Sequence, residues 1–191
     1  MKTAKILIIA ICLLIPISSL AFDGKRKGFV FGGGFGFAPF SKWKSDITTT
    51  DGSPGTNSES KAGFALNFLI GGAFDEHNML VYEGNFAGYN SDYFNQSLAQ
   101  GFNGAAWYYY FGSAGKSVFT ALGLGFYDFK VNGRNRPDPG LAILLGAGYE
   151  FTRHWQVGGY LSLGKTSDNE YRNRADLKHS QFSFLVNAIA F

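Results

Sequence analysis

The chain has 191 residues, of which 26 are glycine, 20 phenylalanine and 10 tyrosine; only 16% are charged, and the formal net charge is +3. So many aromatic residues and so few charges exclude a disordered chain, and glycines without a strict period of three exclude collagen. The small net charge and scattered basic residues exclude nucleic acid as the partner.

The first element in chain order is an address. Lys2 and Lys5 give a positive start, Ile6 to Ile17 an apolar run, and Ser19-Leu20-Ala21 a small-x-small cleavage site. The run is short of the roughly 20 residues a membrane helix needs. Cys12, the only cysteine, follows Ile11 where a lipoprotein signal wants a small residue, so it belongs to the run. The expected division is a signal peptide at 1–21 and one domain at 22–191. That domain has no cysteine and must be held by its own packing or by a bilayer.

From Phe29 the chain alternates. Phe29, Phe31, Gly33, Phe35 and Phe37 fall on one face, and Val30, Gly32, Gly34, Gly36 and Ala38 on the other. One face is bulky and apolar, the other nearly bare. Period two is a strand signal, and no helical spacing fits it. The second segment sets Phe64, Leu66, Phe68, Ile70 and Phe74 against Ala65, Asn67, Leu69, Gly71 and Ala73. Six more strands are expected near 79–89, 101–111, 117–128, 141–151, 156–164 and 180–191. In the fourth, Trp107-Tyr108-Tyr109-Tyr110-Phe111 puts aromatics on both faces.

The connections alternate in length. Asp75–Asn78, Gly112–Lys116 and Thr152–Trp155 are short turns, while about 40–62, 90–100, 129–140 and 165–179 are long and polar. Short turns at one rim and long loops at the other mark a transmembrane barrel with its termini on the short-turn side. Strands of about 10 residues suit a tilted membrane crossing. Charge placement agrees. Only Glu83 and Glu150 lie well inside strands, with Asp128 at a strand end, and both glutamates oppose the apolar face. A soluble barrel would put its polar residues outside instead. Phe74, Tyr82, Tyr108, Tyr110, Phe151 and Trp155 cluster near the short-turn rim and predict an aromatic girdle, where rings sit in apolar surroundings and polar tips stay wet. The fold class is therefore all-β: an eight-stranded antiparallel transmembrane β-barrel, an up-and-down meander with short periplasmic turns and long extracellular loops.

Gly146-Ala147-Gly148-Tyr149-Glu150-Phe151-Thr152-Arg153-His154-Trp155 resembles the sixth strand and last short turn of small outer-membrane barrels of Gram-negative bacteria, the OmpA-membrane-domain, OmpX and OmpW-like group. Terminal Phe191 resembles the aromatic by which that group is recognised for insertion. The resemblance implies an outer-membrane address, the barrel-assembly machinery as a partner during insertion, outer-membrane lipid and lipopolysaccharide around the barrel, and a monomer. The last strand departs from the group's pattern, because Asn187 and Ser183 interrupt its odd positions. Phe182, Phe184, Val186, Ala188 and Ala190 are wholly apolar, so the even face is expected to meet lipid.

An eight-stranded lumen is narrow and filled by side chains. By parity Asn67, Glu83, Asn85, Glu150, Gln156 and Ser162 point inward, and a satisfied polar network is the expected role. Arg153, ordered water or protonation is expected to compensate at least one of the two glutamates. The alternative is a small pore or a binder of an apolar ligand, with cavities at inward glycines such as Gly34, Gly123, Gly125, Gly146 and Gly148. A third reading is lipid A modification. His179 and Ser180 are neighbours on a strand and point to opposite faces, which suits a catalytic pair poorly. His77, His154 and His179 are too far apart in sequence for a zinc pattern, and no helix follows the Gly32-Gly33-Gly34-x-Gly36 run to make a phosphate loop. No cofactor is expected. On the loops, Lys130, Arg134, Arg136, Lys165, Arg172 and Arg174 are the basic candidates for lipopolysaccharide phosphates. Trp43 and the Tyr93-Phe94 pair are candidate anchors for an external partner. The expected role is structural or surface-binding, without catalysis.

Overall fold

The two-residue alternation becomes eight strands. The computed structural model describes residues 25–48, 54–168 and 175–191, and the segment 1–21 expected to be a signal peptide lies outside them. The strands are β1 (Gly28–Thr48), β2 (Pro54–Ala73), β3 (Asn78–Ser91), β4 (Gln96–Tyr110), β5 (Ser117–Val131), β6 (Asp138–Thr152), β7 (Trp155–Asp168) and β8 (Ala175–Ala190). Each pairs antiparallel with the next, and β1 closes on β8, giving a closed meander barrel without free edges.

Burial runs inside-out. The bulky face of each strand points away from the lumen: Leu124 is 67% exposed and Leu141 73%. A patch of this size on a water-soluble monomer would aggregate; in a bilayer it is the required surface. On β8 the even residues face outward and Ser183, Leu185, Asn187 and Ile189 are buried, so the apolar even face does meet lipid. The polar odd residues enter the lumen, where hydrogen-bond partners exist.

Small residues on the lumen face make room for large ones. A side chain at Gly146 would meet the Tyr160 ring at 2.7 Å, and one at Gly123 the Phe102 ring at 2.9 Å. Of the inward glycines expected to leave cavities, Gly123, Gly146 and Gly148 are instead covered by neighbouring rings, Gly34 by the Asn187 and Asn67 side chains and Gly125 by the Asn103 backbone.

The strands are longer than the alternation suggested: β1 has 21 residues and β2 has 20. Most of the segment expected as a 40–62 loop is a paired hairpin that continues the barrel beyond the apolar band. A bulge hid it. The ladders of β1 with β2 and β8 shift between Phe37 and Ser41, where Pro39 offers no N–H. The inward parity then changes from even (Gly36, Ala38) to odd (Ser41, Trp43, Ser45). A single-period reading stops at that point.

Candidate functional site

The lumen is built in three layers. At the end that holds the chain termini, Glu150 near the end of β6 is buried and forms an ion pair with fully buried Arg26, from the tail before β1. The same guanidinium donates to the Glu76 carbonyl and lies 3.6 Å from the centroid of the Tyr110 ring. Arg153, one of the three expected means of compensation beside ordered water and protonation, is exposed in the β6–β7 turn and does not make this pair. The tail reaches Glu150 from inside the barrel mouth, whereas the turn residue points into solvent. Phe191 is buried beside this plug, its ring 5.4 Å from that of His154. The backbone locks the end further, with Ile189 N–H donating to the His154 carbonyl at 2.8 Å.

The middle layer is polar along one wall and aromatic along the other. The Tyr108 hydroxyl donates to Glu83 at 2.7 Å, and Tyr110 donates to Gln156 at 2.8 Å. Asn187 donates to the Tyr160 hydroxyl at 3.1 Å, and Gln181 and Ser183 both donate to Asn85 Oδ1 at 3.2 Å. Asn67 faces Asn85 across the β2–β3 ladder. The structure thus gathers Asn67, Glu83, Asn85, Glu150 and Gln156 in the interior. Among the described residues, Glu83 has no cation within ion-pair distance.

These contacts correct the girdle. Phe74, Tyr82, Phe151 and Trp155 face outward near the short-turn rim. Tyr108 and Tyr110 are buried in the lumen, because strand alternation in β4 sends Trp107, Tyr109 and Phe111 outward and the residues between them inward. Their hydroxyls could have revealed this, since two inward acids and a glutamine need donors from somewhere.

The outer layer is aromatic. Trp43, expected as an exposed anchor, is 1% exposed. It stacks on Phe94 with centroids 5.2 Å apart, and Tyr93 meets it edge-on at 5.0 Å. Asn95, at φ 52°, takes the left-handed conformation that asparagine tolerates and turns the chain behind Phe94. The Trp43 indole N–H donates to Glu59 at 3.2 Å, and Asp92 N–H to the same carboxylate at 2.8 Å. Partial burial pushes the Glu59 carboxyl up. Hydrogen bonds from Ser91, Tyr93, Asp92 and Trp43 outweigh it and hold the group below its ordinary value.

Beneath this plug His179 stacks on Tyr127, with centroids 4.7 Å apart. Its Nδ1 lies 3.2 Å from Gln100 Oε1 and its Nε2 2.8 Å from Thr166 Oγ1. Gln100 Oε1 can only accept, so the ring proton is placed on Nδ1 and Nε2 accepts from Thr166. Ser180 lies on the opposite face of β8.

At the outer rim the basic candidates do not form one patch. Arg136 pairs with Asp128, Arg134 lies 4.9 Å above the Phe94 ring, and Lys130 and Lys165 are exposed on β5 and β7. Arg172 and Arg174 lie outside the described residues. Among the described residues, no three His, Cys, Asp or Glu side chains gather as a metal would need.

Residues 8–189 match the family model described as the outer membrane protein beta-barrel domain. No curated protein matches the chain in sequence. Among solved structures, the outer membrane protein OprG from Pseudomonas aeruginosa is similar at 15% identity, covering 86% of this chain and 96% of that one, with a TM-score of 0.51. Neisserial surface protein A is similar at 14% identity over 84% and 96% of the two chains, with a TM-score of 0.49. The N-terminal barrel of Pseudomonas aeruginosa OprF is similar at 12% identity over 85% and 98%, with a TM-score of 0.45.

Proposed function

Because the chain belongs to the outer membrane protein beta-barrel domain family, we propose that it serves in the outer membrane as a sealed structural barrel whose outer rim contacts lipopolysaccharide or an external partner, without catalysis. The observation that carries this reading is the filled lumen. Arg26, Glu150 and Phe191 occupy one end, Trp43, Phe94 and Phe129 the other, and tyrosines lie between them. Ions would have to displace a buried ion pair and stacked rings to pass. His179 and Ser180 face opposite sides of the wall, which argues against a serine–histidine pair at that position.

The same reading has the signal peptide cleaved after Ala21, so that Arg26 remains in the short tail and can reach its plug. It has Phe191 recognised by the barrel-assembly machinery before its ring is buried, and the folded barrel acting as a monomer.

The test is electrical. The purified barrel, shown to be folded by its heat-modifiable mobility on a detergent gel, is placed in planar bilayers. No resolved conductance steps are expected. Reproducible steps from the folded species would overturn the sealed barrel and favour the pore.

A further inference from the structure

Three lysines stand in one cross-strand row on the outside of the wall. Lys44 of β1 lies directly opposite Lys178 of β8, and Lys178 lies directly opposite Lys165 of β7. All three face outward, and the side chains of Lys44 and Lys178 are 44% and 56% exposed. Like charges placed opposite one another on a sheet are destabilising, so packing alone gives no reason for the row. Asp46 contacts Lys44 at 3.2 Å and Lys178 at 3.1 Å, which offsets part of the repulsion. Lys42, opposite Ser180 in the next row toward the membrane, adds a fourth cation. The patch stays net positive even with Asp46 and Asp176 beside it.

The height of this row matters. Two residues closer to the membrane the register reads Lys42, Ser180 and Leu163, and two closer again Phe40, Phe182 and Leu161. The lysines therefore crown the apolar band, where a lipid's headgroup meets its chains.

Below Lys165 and Lys178 the wall is hollowed. A groove of about 510 Å³ has Leu124, Leu141, Ile143 and Leu163 among its lining residues, with the two lysines at its lip. Its shape has a local cause. The β6–β7 ladder shifts between Pro139 and Ala142, beside Leu141 and Lys165.

We propose that this groove and its lysine lip bind a phosphorylated glycolipid of the outer leaflet, with a phosphate on Lys165 and Lys178 and an acyl chain along the leucines. Charge complementarity selects this occupant. A dianionic phosphate accepts from two ammonium groups at once and removes the repulsion between them, while the groove offers the chain an apolar surface continuous with the bilayer. This rests on the outer-membrane reading above and narrows the contact to one place on the wall.

The test follows heat stability of the folded band in detergent. Three probes are added separately: bisphosphorylated lipid A, the same lipid dephosphorylated, and inorganic phosphate. Only the first is expected to raise the unfolding temperature, in proportion to its concentration. In the double variant Lys165→Gln with Lys178→Gln, half-maximal protection should need about tenfold more lipid A or more. Lys116→Gln, the same type of substitution at the opposite rim, should leave protection unchanged.

Without lipid, Lys165→Gln should be as heat-stable as the parent or more so, because a like-charge pair is gone. Equal protection of the double variant, full protection by the dephosphorylated lipid, or protection by inorganic phosphate alone would overturn the site. So would a loss of lipid-free stability in Lys165→Gln, which would assign that lysine to the fold. A barrel absent from the outer-membrane fraction would instead overturn the reading beneath it.

Discussion

The two ends of the lumen are closed by opposite means. The end that holds the termini uses a buried ion pair, Arg26 with Glu150, capped by the Tyr110 ring. The outer end uses stacked rings around Trp43, with the Glu59 carboxylate gathering donors at their edge. An ion pair is all-or-none, because removing one partner strands the other away from water. A stack loses contacts gradually, since its neighbours can settle into the gap. One barrel therefore has a brittle end and a compliant end.

The sharpest way to break the comparison is Arg26→Ala. It leaves Glu150 buried without its cation and should cost about 3–5 kcal/mol in urea unfolding from lipid vesicles. Replacing both Arg26 and Glu150 by methionine should return most of that loss, because no unpaired charge remains. A double variant as unstable as the single one would show that the tail acts through packing rather than charge.

Trp43→Ala should cost less, about 2–3 kcal/mol. The outer end is open to rearrangement and falls below the range for a tryptophan in a closed core. A loss larger than that of Arg26→Ala would reverse the order of the two ends. The middle layer gives a smaller effect still. Glu83 takes its hydrogen bond from the neutral Tyr108 hydroxyl, which an amide oxygen can equally accept. Glu83→Gln should therefore change stability by under about 1 kcal/mol, in contrast with the Glu150 site.

Acid gives the smallest effect, confined to the outer end. Glu59 is held below its ordinary value of 4.5, so its stabilisation is fully present above that value and is lost as pH falls through the lower folded value. A near-ultraviolet circular dichroism change of the Trp43 stack should begin below about pH 4.5. The change should be absent in Glu59→Gln. Persistence of the same transition in that variant would assign it to another carboxylate.

Much of this architecture was legible in the residues, for identifiable reasons. Alternation in Phe29–Ala38 and Phe64–Phe74 marks lipid-facing strands because a bilayer accepts only apolar side chains on that face. The wholly apolar even positions of β8 fixed its orientation in the same way, against the interruption at Ser183 and Asn187. Two things were not legible. Tyr108 and Tyr110 sit in a run with aromatics at every position, where a period of two carries no sign. Trp43 lies beyond the Pro39 bulge, which reverses parity where the first run of alternation ends.

Sequence by itself determined which surface meets lipid and how many strands cross. Those features follow from periodicity and from the cost of placing charge in hydrocarbon, both local properties of the chain. Tertiary structure alone decided what fills and decorates the barrel. Arg26 meets Glu150 across 124 positions of sequence, and Lys165 meets Lys178 only because β7 and β8 pair in one register. Such pairs depend on closure and register, which no single strand encodes.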